Sequence, residues 1–254
     1  MRTLLAVPLL VAVALVASAQ EAPDNAAAAK AVITKAVAAH GGAEALKAFA
    51  NTSSSATGTM TVVGAEMPFT SEVVFAAPDK LRMTMKTEIA GVKTEMVQVM
   101  NGDKFKLTMN GKATEIGAVE KGELKQAAMM QDIVLLVPLL GAKYTLKAEK
   151  DDKVGDAEVS VVSVAAKDFK PATLSFDKKT GYLVRHVRKG FAPTLKGPTE
   201  VTEETRMGEF QKFDGVMLPT KMTATHDGKP FMTMTVTAGK ALKAVDEKLF
   251  TIGD

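Results

Sequence analysis

Beyond Ser54 the chain alternates apolar and polar residues with a period of two, in short runs cut by turn dipeptides. A period of two is the signature of half-buried strands, and loops this short join antiparallel neighbours. Ala56, Gly58, Met60 and Val62 alternate with Ser55, Thr57, Thr59 and Thr61, and Gly64-Ala65-Glu66 turns the chain. Met67, Phe69, Val73 and Phe75 share the parity of the next strand, which ends at Ala76-Ala77-Pro78-Asp79. Leu81, Met83, Met85 and Ile89 alternate with Arg82, Thr84, Lys86 and Glu88. Val92 to Met100, Phe105-Leu107-Met109, Tyr144 to Glu149, Glu158 to Ala165, Ala172 to Phe176, Tyr182 to Arg188, Glu200 to Phe213, Met217 to His226 and Phe231 to Thr237 read as further strands. Asn110-Gly111, Asp214-Gly215 and Asp227-Gly228 are hairpin signals. One segment breaks the pattern. Glu120 to Leu136 carries apolar residues at helical spacing and stops at Pro138 and Gly141. A single sheet of about 11 antiparallel strands must curl and so acquire a concave face. The predicted class is mainly β with helices (α+β), an unclosed barrel.

The segment before the strands is helical. Ala26 to Ala39 is Ala-rich, with Val32, Ile33, Ala36 and Val37 on one stripe, and His40-Gly41-Gly42 stops it. Ala43 to Ala50 forms a second short helix. The N-terminal helix and the mid-chain helix are the natural covers for the concave face.

Residues 1–19 read as a signal peptide: Arg2, an apolar run from Leu4 to Val16, and the small-x-small site Ala17-Ser18-Ala19 before Gln20. The run is shorter than the roughly 20 residues a membrane span needs. No Cys follows it for lipid attachment. Residues 20–254 are then one exported domain, in the periplasm or secreted, with no transmembrane anchor. The chain has 32 basic and 29 acidic residues, mixed along its length, so no nucleic-acid footprint is present.

No motif for catalysis emerges. His40, His186 and His226 are dispersed, and no Gly-x-Ser-x-Gly elbow or His-Glu-x-x-His run occurs. Asp151, Asp152 and Asp156 around Gly155 lack the terminal Glu of a calcium loop and read as a solvated turn. The chain contains no Trp but 15 Met. Met83 and Met85 share one strand face, as do Met232 and Met234. Thioethers bind Cu(I), but with no Cys and no His cluster beside them no metal or cofactor is expected. Met either fills a core or forms a flexible apolar lining. The expected ligand-binding residues are Met60, Val62, Val73, Phe75, Leu81, Met83, Met85, Phe105, Leu107 and Met109 on one face of the sheet. Met130 and Val134 on the mid-chain helix complete the set, with Met129 and Leu135 beside them, and the helix is a candidate movable lid.

The order of these parts resembles the LolA/LolB-like superfamily of periplasmic lipoprotein-sorting proteins. The features that carry the resemblance are His40-Gly41-Gly42, the strand ending Phe75-Ala76-Ala77-Pro78-Asp79-Lys80-Leu81-Arg82, and the helix before Pro138. The Phe176–Arg185 hairpin and Phe213-Asp214-Gly215-Val216-Met217-Leu218-Pro219 complete them. The resemblance implies a long antiparallel sheet with helices lidding a hydrophobic cavity, and a non-enzymatic carrier for a lipid, acyl chain or lipoprotein anchor. It also admits a structural or sensory envelope module that binds a protein partner. This chain departs by offering Met where the lipoprotein carrier has aromatics. The intact mass of the exported protein is expected to match a chain beginning at Gln20; a membrane-bound species retaining Met1 contradicts this.

Overall fold

The computed structural model describes residues 23–89, 91–194 and 196–252. The leader and its cleavage point before Gln20 lie outside them. Two helices, α1 (Pro23–Ala39) and α2 (Ala43–Ala48), open the chain. Six strands follow: β1 (Asn51–Val62), β2 (Ala65–Ala76), β3 (Lys80–Ile89), β4 (Val92–Asn101), β5 (Lys104–Met109) and β6 (Lys112–Thr114). Then come α3 (Ala118–Val134) and a 3-10 turn (Val137–Leu140). Seven more strands complete the sheet: β7 (Thr145–Val154), β8 (Ala157–Ala166), β9 (Phe169–Asp177), β10 (Leu183–Ala192), β11 (Thr199–Phe213), β12 (Val216–His226) and β13 (Lys229–Ala241). A second 3-10 turn, Glu247–Phe250, follows them.

The described strands form one antiparallel sheet of thirteen in the order β6-β5-β4-β3-β2-β1-β13-β12-β11-β10-β9-β8-β7, with β6 and β7 as free edges. The fold class is therefore as expected, with more strands than the alternation predicts. The three-residue β6 is too short to show a period of two. The strand β7 runs on to Val154, so Asp151 and Asp152 belong to an edge strand and not to a turn. There they pair with Lys178 and Arg185. The hairpin dipeptides behave as read: Asn110-Gly111, Asp214-Gly215 and Asp227-Gly228 all have two consecutive positive φ angles. The first hairpin turns one residue earlier than expected, at Val63-Gly64.

Pairing register divides the sheet into two faces, because residues directly opposite one another project to the same side. The face carrying Leu146, Val162, Val164, Leu174 and Phe176 packs against Ala29, Ile33 and Ala36 of α1 and Met130 and Ile133 of α3. The same face, at the other end of the sheet, carries Phe75, Leu81 and Met100, which pack against Leu124 and Ala128 of α3. Helices thus cover both ends of one inner face. On the outer face, Phe250 of the C-terminal turn is buried against Ala76 and Val99.

His40 holds the first helix to the sheet. Its Nδ1 donates to the Met217 carbonyl at 2.7 Å, and its Nε2 accepts from the Leu183 N–H at 3.1 Å. The Met217 N–H in turn donates to the His40 carbonyl. The Tyr182 and Phe210 rings meet the imidazole edge-on. Beside it, a Cβ on Gly41 would lie 2.4 Å from the Gly215 carbonyl oxygen, so only glycine allows this approach. One imidazole therefore ties α1 to the entrances of β10 and β12. It must be neutral to accept at Nε2, and burial pushes it below its ordinary value of 6.5, the bond to the Met217 carbonyl partly offsetting this.

A folded value below the unfolded one means that the unfolded chain takes up the proton first as pH falls. His40 thus contributes stability in full above pH 6.5 and loses it in acid. His40→Gln is expected to cost about 1–3 kcal/mol at neutral pH and to flatten the decline in urea midpoint as pH falls below 6.5. An unchanged decline in the variant contradicts this.

Candidate functional site: the inner face of the sheet

The register from β1 to β6 runs without a bulge. It places Met60, Val62, Val73, Phe75, Leu81, Met83, Met85, Phe105, Leu107 and Met109 on the inner face together. Their surroundings differ. Phe75 and Leu81 are buried beneath α3, and Val73 and Phe105 flank them. Met60, Val62, Met83, Met85 and Leu107 are half-buried, and Met109 is exposed at the strand end. Met130 and Val134 do not meet this group. They pack in the larger core that also holds α1, so the face α3 turns to the first six strands is made by Leu124 and Ala128. The reason is that α3 crosses between the two ends of the inner face, with its N-terminal half over one and its C-terminal half over the other.

Between α3, the sheet and the β10–β11 loop lies a cavity of about 560 Å³. Leu81, Met83 and Gln98 form its floor, Leu124 and Ala127 its roof, and Phe191 and Pro193 one wall. Arg188 and Glu123 close the end of it. Arg188 spans helix and sheet. Its guanidinium donates to Glu123 of α3 at 3.0 Å and to Glu203 of β11 at 3.1 Å, and all three side chains are largely buried. Glu203 also meets His226, which stacks on the Phe231 ring at 3.8 Å.

Polar contacts fasten α3 along its length. Gln126 donates to the Asp168 carbonyl and accepts from the Lys170 N–H. Buried Asp132 accepts from Tyr144 and Lys143; burial, with this bond to a carboxylate, raises the Tyr144 phenol above its ordinary value. Lys125 pairs with Asp103 at the other side. These contacts hold α3 over the sheet.

The second half of the sheet extends the same face. Met234, Met222 and Met207 stand opposite one another on β13, β12 and β11. Met67, Met60 and Met232 do so on β2, β1 and β13. All six are half-buried. Beside them Gly58 carries no side chain, and the Phe69 ring lies over it. His186 lies on this face opposite Thr205, and its buried Nδ1 has no hydrogen-bond partner. Burial, against the pull of Glu203, holds its imidazole down at about 4.

Sequence parity shows Met232 and Met234 as a pair. It could not show their neighbours, because the β1–β13 pairing joins residues far apart in the chain and passes a bulge at Ser55/Ala56. Arg188 was equally hidden, its partners lying on two other elements. Among the described residues, no three His, Asp or Glu side chains gather as a metal site, and no helix is long and apolar enough to cross a membrane.

No protein-family profile and no curated protein sequence matches the chain. Solved structures do. A LolA superfamily protein from Nitrosomonas europaea superposes with a TM-score of 0.58 at 11% identity, over 88% of this chain and 97% of the other. An outer-membrane lipoprotein-sorting protein domain from Vibrio parahaemolyticus gives 0.56 at 12%, over 89% and 97%. A DUF1329 family protein from Desulfovibrio piger gives 0.54 at 12%, over 88% and 97%. The fold is LolA-like.

Removing Arg188 would leave two buried carboxylates facing each other. Arg188→Ala is therefore expected to lower the unfolding free energy by about 3 kcal/mol, with Glu123→Gln and Glu203→Gln in the same chain restoring most of it. Urea unfolding of the single and triple variants checks this; equal stability of Arg188→Ala and the wild type contradicts it.

Proposed function

We propose that this LolA-like protein is a periplasmic, non-enzymatic carrier that holds an apolar ligand, a lipid, acyl chain or lipoprotein anchor, against the inner face of its sheet. One observation carries the reading. Where helices cover the inner face, the side chains are mostly Phe, Leu, Val and Ala, with Met100 among them, and are buried. Elsewhere on this face methionines predominate, beside Val62 and Leu107, and are left half-buried. Core filling accounts for the first set but not the second. Flexible thioether chains on an open apolar floor adapt to ligands of varied shape. The floor runs beneath α3 into the cavity at Leu81 and Met83, which offers the ligand a covered end.

The leader expected at residues 1–19 supports delivery to the periplasm, and the fold is shared with a domain whose description is lipoprotein sorting. A carrier of this kind needs no chemistry at the site. Arg188, the one cation lining the cavity, is already paired with Glu123 and Glu203.

Binding of a naphthylamine fluorescent probe tests the proposal. Wild-type protein is expected to enhance its fluorescence saturably. Met83→Asp should weaken binding at least about tenfold, since a charge in an apolar site is costly unless paired, while circular dichroism stays unchanged. Thr235→Asp, on the outer face, should bind as the wild type does. Wild-type protein that gives no saturable binding, or a folded Met83→Asp that binds equally well, would overturn the reading.

A further inference from the structure

We propose that His186, Met207 and Met222, on the adjacent strands β10, β11 and β12, form a binding site for Cu(I). Met207 and Met222 are direct cross-strand partners. His186 stands opposite Thr205, two residues from Met207 on the same strand, which makes it the diagonal neighbour of Met207. Strands lie about 4.8 Å apart, and diagonal neighbours about 7–8 Å apart. Long side chains bridge such gaps. Met234, the partner of Met222 across β12 and β13, is positioned as a further thioether.

Three features select a soft monovalent cation. The donors are thioethers and an imidazole, the set that suits Cu(I) and is too soft and too weakly charged for Mg, Ca or Mn. The imidazole is available. Its Nδ1 is buried with no partner, an expensive state for a polar atom unless something occupies it. The neighbouring charges fit as well. His186 is two residues from Arg188 on one face of β10, and the Arg188, Glu123 and Glu203 cluster carries one more negative than positive charge. A single positive charge beside it is balanced, whereas a divalent ion would leave an excess. The histidines are dispersed in sequence, which hid the site; strand pairing is what brings His186 to the methionines.

This proposal does not require the carrier reading, and the test separates them. The metal-free full chain is titrated anaerobically with Cu(I) against a chromophoric chelator. The wild type is expected to retain one equivalent, and X-ray absorption should show sulfur neighbours together with nitrogen. Leu replaces Met at nearly constant volume, so the double variant Met207→Leu, Met222→Leu should lose copper affinity about 100-fold while its circular dichroism spectrum stays that of the wild type. His186→Leu should remove the nitrogen contribution. Ag(I), a redox-inert stand-in, should raise Tm in the wild type and not in the double variant. Equal copper retention by the double variant, a coordination shell of nitrogen and oxygen alone, or no copper retained by the wild type would overturn the site. A protein that retains copper but does not bind the probe would leave the site standing and remove the carrier.

Discussion

A single antiparallel register runs unbroken from β6 to β1, and it decides which side chains the sheet shows to its helices. A slip of one residue would turn Met60, Val73, Phe75, Leu81 and Met83 outward and bring Arg82, Lys86 and Glu72 inward. Short turns oppose that slip, Val63-Gly64 between β1 and β2 and Asn110-Gly111 between β5 and β6 among them, and others do the same in the second half of the sheet. Asn110-Gly111, Asp214-Gly215 and Asp227-Gly228 adopt the twist that matches their flanking strands, and each allows only one pairing offset. Local turn chemistry therefore sets which residues each run of hairpins shows, and the long-range β1–β13 pairing joins the two runs, as at Met60 and Met232.

An open sheet of thirteen strands still needs its inner face covered somewhere. Two short devices do this. His40 and Gly41 dock α1 where β10 and β12 begin, and a chain of polar contacts from Glu123 to Asp132 fixes α3 across the middle. The outer face near β2 to β4 is sealed separately by Phe250, with Lys80 holding Glu247 at 2.7 Å. Helix α3 and the C-terminal turn thus pack on opposite faces of that end of the sheet. The stretch of inner face from β1 through β13 to β11 carries Met60, Met232, Met234, Met222 and Met207, all half-buried.

The period of two made most strands legible, and the Gly-containing dipeptides made their turns legible. The same logic missed β6, which is too short to alternate, and shortened β7, whose Asp151 and Asp152 looked like a turn until their partners Lys178 and Arg185 were known. The inner face of the first six strands could be read from parity because consecutive strands pair in order. The other half of the face could not, since the join between β1 and β13 crosses nearly the whole chain. Met130 and Val134 fall on an apolar helix, but which end of the sheet they meet depends on the crossing of α3, and no local pattern encodes that. Three of the motifs that carried the family resemblance prove to touch one another: His40-Gly41 meets Gly215-Val216-Met217 and Leu183. They are the parts that dock helix to sheet, which explains why they speak for the fold and say little about the ligand.

The central claim is that the half-buried methionines are a ligand surface and not incomplete core. Methyl NMR on methionine-labelled protein tests it most directly, because each thioether methyl reports its own contacts. On titration with a lysophospholipid, the methyls of Met60, Met83, Met85, Met232 and Met234 are expected to shift together and saturate. Met100, buried in the core, and Met217, on the opposite face, should stay in place. Shifts spread evenly over both faces, or none on the inner face at saturating lipid, would contradict the account.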